Sequence, residues 1–107
     1  MSEFEIIKES AGTFLINGVL NQKTVSGLWQ QKNMFIAEKD QLTIDLASIT
    51  HSDSAGLAFL TCLKSEAVKS GYELSFINIP IQLRKLIELS HMEEVLDIQL
   101  TTKRNNE

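Results

Sequence analysis

Cysteine occurs once in the 107 residues, at Cys62, so an intrachain disulfide and any metal site built on a cysteine pair are excluded. Its apolar neighbours give it the reading of a small buried hydrophobe, since nothing near it in sequence would depress its pKa. Long hydrophobic runs are also missing. No stretch approaches the ~18 apolar residues of a spanning helix, and no early basic and apolar segment marks a signal, so the chain reads as cytoplasmic. Neither G-x-x-x-x-G-K-S/T nor G-x-G-x-x-G is present, which argues against nucleotide hydrolysis by the domain itself. Positive charge is in short supply: 10 Lys and Arg stand against 14 Asp and Glu, for a net charge of -4. The overall field therefore attracts neither nucleic acid nor an anionic bilayer. Lys103 and Arg104, in the polar tail 101–107, read as a solubilising end. Repeats, low-complexity segments and dividing linkers are absent, leaving one domain over 1–107 with an ordered core at about 4–98.

What is present centres on Gln41 to Leu63. Leu42, Ile44 and Leu46 alternate with Thr43 and Asp45, as a half-buried strand requires. A short polar loop follows, and at Asp53-Ser54-Ala55-Gly56 the spacing becomes helical, placing Ser52 to Ser54 on or just before a helix N-terminus. That end carries backbone N–H groups without partners inside the helix.

In chain order, Phe4, Ile6 and Ile7 predict a first strand ended by Lys8-Glu9-Ser10 and Gly12. Thr13 to Asn17 predicts a second, joined to the first as a hairpin. Gly18 marks a bend, a bulge or a close backbone approach. Thr24 to Ala37 reads as a helix capped by Asn21 or Thr24, with Val25, Leu28, Trp29, Phe35 and Ile36 on one stripe. The central strand follows, then a helix from Ser54 to Lys69 stopped by Gly71. Leu74 to Ile77 is a short buried strand. Pro80 falls in the first turn of a helix carrying Leu83, Leu86 and Ile87. Val95 to Leu100 reads either as an edge strand or as a docked tail. The order β-β-α-β-α-β-α implies an α/β fold, with parallel βαβ units and an antiparallel hairpin at one edge.

The residues carrying chemical groups do not assemble into a catalytic site. Ser54 is either a helix cap or a hydroxyl at a partner surface. Asp53 is favoured beside a helix start by ~0.3–1 kcal/mol and is also able to accept a partner's donor. A hard cation wants several oxygen ligands, and no second carboxylate lies close to Asp53 in sequence. His51, Asp53 and Ser54 crowd one loop, which leaves little reason to expect the contacts of a hydrolytic triad. His91 serves to terminate a helix. Trp29 is either a core residue or an interface rim, where aromatics often carry binding energy.

The segments Ile44-Asp45-Leu46-Ala47-Ser48-Ile49 and Asp53-Ser54-Ala55-Gly56-Leu57-Ala58, in this element order, resemble the STAS domain. This is the fold of anti-sigma-factor antagonists and of the cytoplasmic tails of anion transporters. The resemblance implies a STAS-like mixed sheet with an N-terminal antiparallel hairpin, parallel βαβ units and packed helices. In signalling members a kinase phosphorylates the serine directly before the glycine; here that position is Ala55, with Ser54 before it. Phe14 to Leu20, Thr24-Val25 and Leu28-Trp29 are similar to a narrower group: the small STAS subunits of the ABC transporter that maintains outer-membrane lipid asymmetry in Gram-negative bacteria. The resemblance implies a non-enzymatic adapter, without cofactor or metal. Its partner would be the cytoplasmic ATPase with its permease, holding the adapter peripherally at the inner membrane. Docking is expected through Ser52, Asp53, Ser54, Ala55, Gly56, Leu57 and Ala58, with Lys64 and Ser65 beside them and Trp29 as a further interface residue. Self-association is an option for the isolated domain. The alternative function is an anti-sigma-factor antagonist or related adapter governed by a serine kinase.

Overall fold

A computed structural model describes residues 3–98. It contains a five-stranded mixed sheet: β1 (Phe4–Ser10), β2 (Thr13–Leu20), β3 (Gln41–Asp45), β4 (Ile49–Ser52) and β5 (Glu73–Ile77). The helices are α1 (Gln22–Gln30), α2 (Ser54–Ser70), α3 (Ile81–Leu89) and the short α4 (Glu93–Leu96). This is the α/β mixed sheet with an N-terminal hairpin that the sequence predicts.

The strand β2 lies at the centre. It pairs antiparallel with β1, parallel with β3 along Thr13 to Leu15, and parallel with β4 along Gly18 to Leu20. β5 closes the other edge by pairing parallel with β3. Ile16, Leu20, Leu28, Ile44, Leu46, Leu60, Leu83 and Ile87 are all fully buried in one core between sheet and helices. Each such aliphatic side chain contributes about 1.5–3 kcal/mol on leaving water.

Several expectations need correction. β1 runs on to Ser10 and only Ala11 and Gly12 turn, because edge pairing with β2 extends through the polar residues. β2 continues past Gly18 to Leu20, with a register shift between Gly18 and Val19. Gly18 is the close approach the sequence marks: at φ 126, an added Cβ would lie 2.2 Å from the Glu3 carbonyl oxygen. The first helix starts at Gln22 and ends at Gln30, short of Ala37. Asn21 caps it, its side chain accepting from Lys23 N and Thr24 N, while Thr24 Oγ1 returns a bond from the Asn21 N–H in a capping box. After a 3-10 turn at Lys32–Met34 the backbone becomes extended, and Phe35 packs edge-on against Phe14 at 5.7 Å. Ile36 is exposed, not on a buried stripe.

The presumed polar loop before the second helix contains β4. Pro80 is the N-cap residue of α3, just outside its first turn. Gly71 does end α2, at φ 82, and His91 follows α3 at φ 55. From Val95 onward the described residues form no strand; α4 buries Leu96 instead, and Ile98 packs against the core. Gln99, Leu100 and the tail 101–107 lie outside the described residues.

Candidate functional site: the α1–α2 groove and the start of α2

The beginning of α2 is fixed from both sides. Asp53 is its N-cap: one carboxylate oxygen accepts from Ala55 N at 2.9 Å and from Gly56 N at 3.2 Å. The Asp53 backbone N–H donates to the Leu20 carbonyl at 3.0 Å, tying the helix start to the end of β2. Ser54 is the first helical residue and is exposed, so the capping role belongs to Asp53. Asp53→Ala is therefore expected to lower stability by about 1 kcal/mol. Ser54→Ala should stay within about 0.5 kcal/mol of the parent. Urea unfolding of the two variants separates the roles, and a larger loss at Ser54 would reverse the assignment.

Ser52 is not available to a partner. It is 1% exposed at the end of β4, where its N–H and hydroxyl both donate to Gln82 Oε1 at 3.1 Å, and Gln82 Nε2 donates to the Ser52 carbonyl at 2.8 Å. These bonds latch β4 to the first turn of α3. Gln82→Ala would leave buried backbone groups unpaired, an expected loss of about 1–3 kcal/mol that a thermal melt would read. Gly56 and Leu57 are also buried beneath α2, because they follow Ser54 on the face turned to the sheet. Lys64 points the other way: its Nζ donates to the Leu74 carbonyl at 2.8 Å and lies 3.8 Å from an Asp97 carboxylate oxygen. Of the predicted docking residues, Ser52, Gly56, Leu57 and Lys64 thus support the fold, while Ser54, Ala58 and Ser65 are exposed and Asp53 and Ala55 are half-buried.

Of these, Ala58 and the half-buried Ala55 line an apolar groove of about 370 Å³ between α1 and α2, together with Val25, Ser26 and Trp29 from α1 and Phe59 and Cys62 from α2. Trp29 is half-buried on its wall, edge-on to Phe59 at 6.5 Å and capped by Lys32 Nζ at 4.0 Å from the ring. It is thus both a core contact and a groove residue. Cys62 is exposed, contrary to its buried reading. Ala55, Ala58, Cys62 and Ser65 follow each other at three- and four-residue steps, which is one line along a helix. That stripe of small residues was the available signal for the groove. Its floor, from Val25 and Phe59, could be found only once α1 and α2 were placed side by side.

Among the described residues no cluster of three or more metal-ligating side chains occurs. His51 lies in β4, paired with Val19 and exposed, while Ser54 and Asp53 stand at the next helix. No described helix is long and apolar enough to cross a membrane.

Comparison with solved structures shows the same fold. The unphosphorylated form of the anti-sigma factor antagonist SpoIIAA matches with a TM-score of 0.67 at 15% identity, over 92% of this chain and 89% of that one. An anti-sigma factor antagonist from Mycobacterium paratuberculosis gives 0.65 at 17% identity, over 92% of this chain and 86% of its own. SLC26A9 gives 0.69 at 16% identity, with 86% of this chain matching only 18% of that protein. The family model described as "Mlab, STAS domain" matches residues 7–100. Together with the hairpin, the parallel units and the loop-to-helix junction at Asp53, that match over nearly the whole sequence means that the chain belongs to the Mlab STAS-domain family.

Proposed function

We propose that the protein is a non-enzymatic adapter subunit that binds and supports the cytoplasmic ATPase of a phospholipid-trafficking ABC transporter, and is held through it at the inner membrane. The observation carrying this reading is the apolar groove between α1 and α2, open beside the exposed start of α2. An apolar cleft with an aromatic wall supplies affinity to a partner, and the polar Ser54 and Asp53 at its end fix register. Ala55 offers no hydroxyl where signalling STAS proteins have one, which favours constitutive docking. By binding one arrangement of the ATPase better than another, the adapter shifts the population toward it. Adding the protein to the transporter lacking it should raise assembly and ATP turnover; no change in either would sink the reading.

The exposed Ser54 favours a second reading, a signalling adapter in which a serine kinase acts on that hydroxyl. Phosphate found on Ser54 after incubation with a cognate kinase would support it, and an unmodified Ser54 would exclude it.

A further inference from the structure

The groove occupies the outer side of the helices, and the opposite side of the molecule carries a surface of different chemistry. The connections from β2 through α1 to β3, and from β4 through α2 to β5, step across the sheet in the same direction. Right-handed crossovers that advance in one direction deliver their helices to the same face. Among the described residues, no helix covers the other face of the sheet. On it, cross-strand pairing sets Ile7 beside Leu15, Leu15 beside Asp45, and Asp45 beside Ile77 in a single row. Ile7 and Ile77 are each 39% exposed, and neither they nor Leu15 pack against the core.

Carboxylates surround that row. Glu5, opposite Asn17, and Glu73, opposite Gln41, share the outward side of the strands, and no outward position of β1, β2, β3 or β5 carries Lys or Arg. The register shift between Lys8 and Ser10 frees Glu9 from the ladder and turns its side chain toward Asp45. Its carboxyl is raised above the ordinary glutamate value, by desolvation first and then by the neighbouring Asp45. Asp45 is itself committed to Ala47 N and Asn78 Nδ2.

We propose that this sheet face is a second interaction surface, and that it receives a cationic amphipathic helix from a partner polypeptide. A sheet face with apolar residues gains by burial under a helix. At the usual strand spacing the row from Ile7 to Ile77 is about 14 Å long, which about ten helical residues would span. Leucine-like side chains on such a helix would cover Ile7, Leu15 and Ile77, while lysine or arginine on its flanks would meet Glu5, Glu9 and Glu73. The sign of the charge selects this occupant. A second copy laid face to face would oppose carboxylate to carboxylate, and an anionic bilayer would be repelled.

The test is amide mapping by NMR of the full chain, using as probe a synthetic amphipathic helix built only of leucine and lysine. Its leucine–glutamate counterpart, phosphatidylglycerol vesicles and a dilution series of the protein alone serve as the other arms. The lysine helix is expected to shift the amides of Ile7, Leu15, Asp45 and Ile77. The double variant Glu5→Lys, Glu9→Lys should weaken it by about tenfold, more at low salt than at high, whereas Glu93→Lys, Glu94→Lys on α4 should change it by less than about twofold. Equal weakening by both double variants would reduce the effect to net charge and overturn the proposal. So would shifts centred on Val25 and Trp29, response of the sheet face to the vesicles or the glutamate helix, or dilution-dependent shifts there that mark a second copy. None of these outcomes bears on ATP turnover, so the adapter reading stands or falls separately.

Discussion

Gly56→Val is expected to cost at least about 3 kcal/mol and to lower the melting temperature by more than about 10 °C. A Cβ at this position would lie 2.6 Å from Leu20 Cβ and 2.7 Å from the Leu20 carbonyl oxygen, closer than a carbon atom is tolerated. That same oxygen accepts the Asp53 N–H at 3.0 Å. Relief of the clash therefore requires α2 to lift from the end of β2, and lifting breaks the bond that positions its first turn. Leu20 has no room to yield, being fully buried at the centre of the sheet. Alanine at 56 meets the same atoms but gains about 1 kcal/mol of helix propensity over glycine, so Gly56→Ala should fall between the parent and the valine variant. Thermal melts of the three proteins would show the order. A valine variant within a few degrees of the parent would mean that α2 and β2 are not as close as the structure has them.

The glycine in the D-S-A-G segment reads from sequence as part of a helix start, and its steric reason becomes visible only in three dimensions. The same division runs through the molecule. α2 was legible because its residues turn small and aliphatic at helical spacing and Gly71 ends it; β3 was legible through alternation and β5 as a short apolar run of strand formers. β4 was not, since only its end residues Ile49 and Ser52 are buried and the register shift against β2 removes any period of two. The first helix was overextended because Phe35 is apolar, yet its burial is against Phe14 on the sheet, a contact between distant residues. Ser52 shows the same limit at the site: a serine before a helix suggests exposure, and only Gln82, far along the chain, makes it an interior residue. Cys62 was misjudged from its apolar sequence neighbours, although on a helix adjacent residues face different ways. The stripe Ala55, Ala58, Cys62 would have placed it on the surface.

Placing a charge in that stripe should separate docking from folding more sharply than any other change. Ala58 is exposed and lines the groove, so Ala58→Asp buries nothing in the isolated domain and should alter its stability by no more than about 0.5 kcal/mol. In a complex whose affinity comes from filling the groove, the new carboxylate would be enclosed among the apolar Val25, Trp29 and Phe59, with no cationic side chain among the residues lining the groove. An unpaired charge at the centre of an interface costs several kcal/mol, which corresponds to a loss of about 100-fold or more in affinity. Ala58→Asp is thus expected to leave the melting temperature within a few degrees of the parent while removing, on the proposed adapter reading, both co-purification with an ABC ATPase and any gain in its turnover. Trp29→Ala is the less clean counterpart, because its edge contact with Phe59 is lost in the free protein as well. Ser65→Lys, one step beyond Cys62 on the same line, measures how far along α2 the partner reaches. Full binding by Ala58→Asp would remove the groove from the docking surface and leave the polar start of α2 as the only part of it still standing.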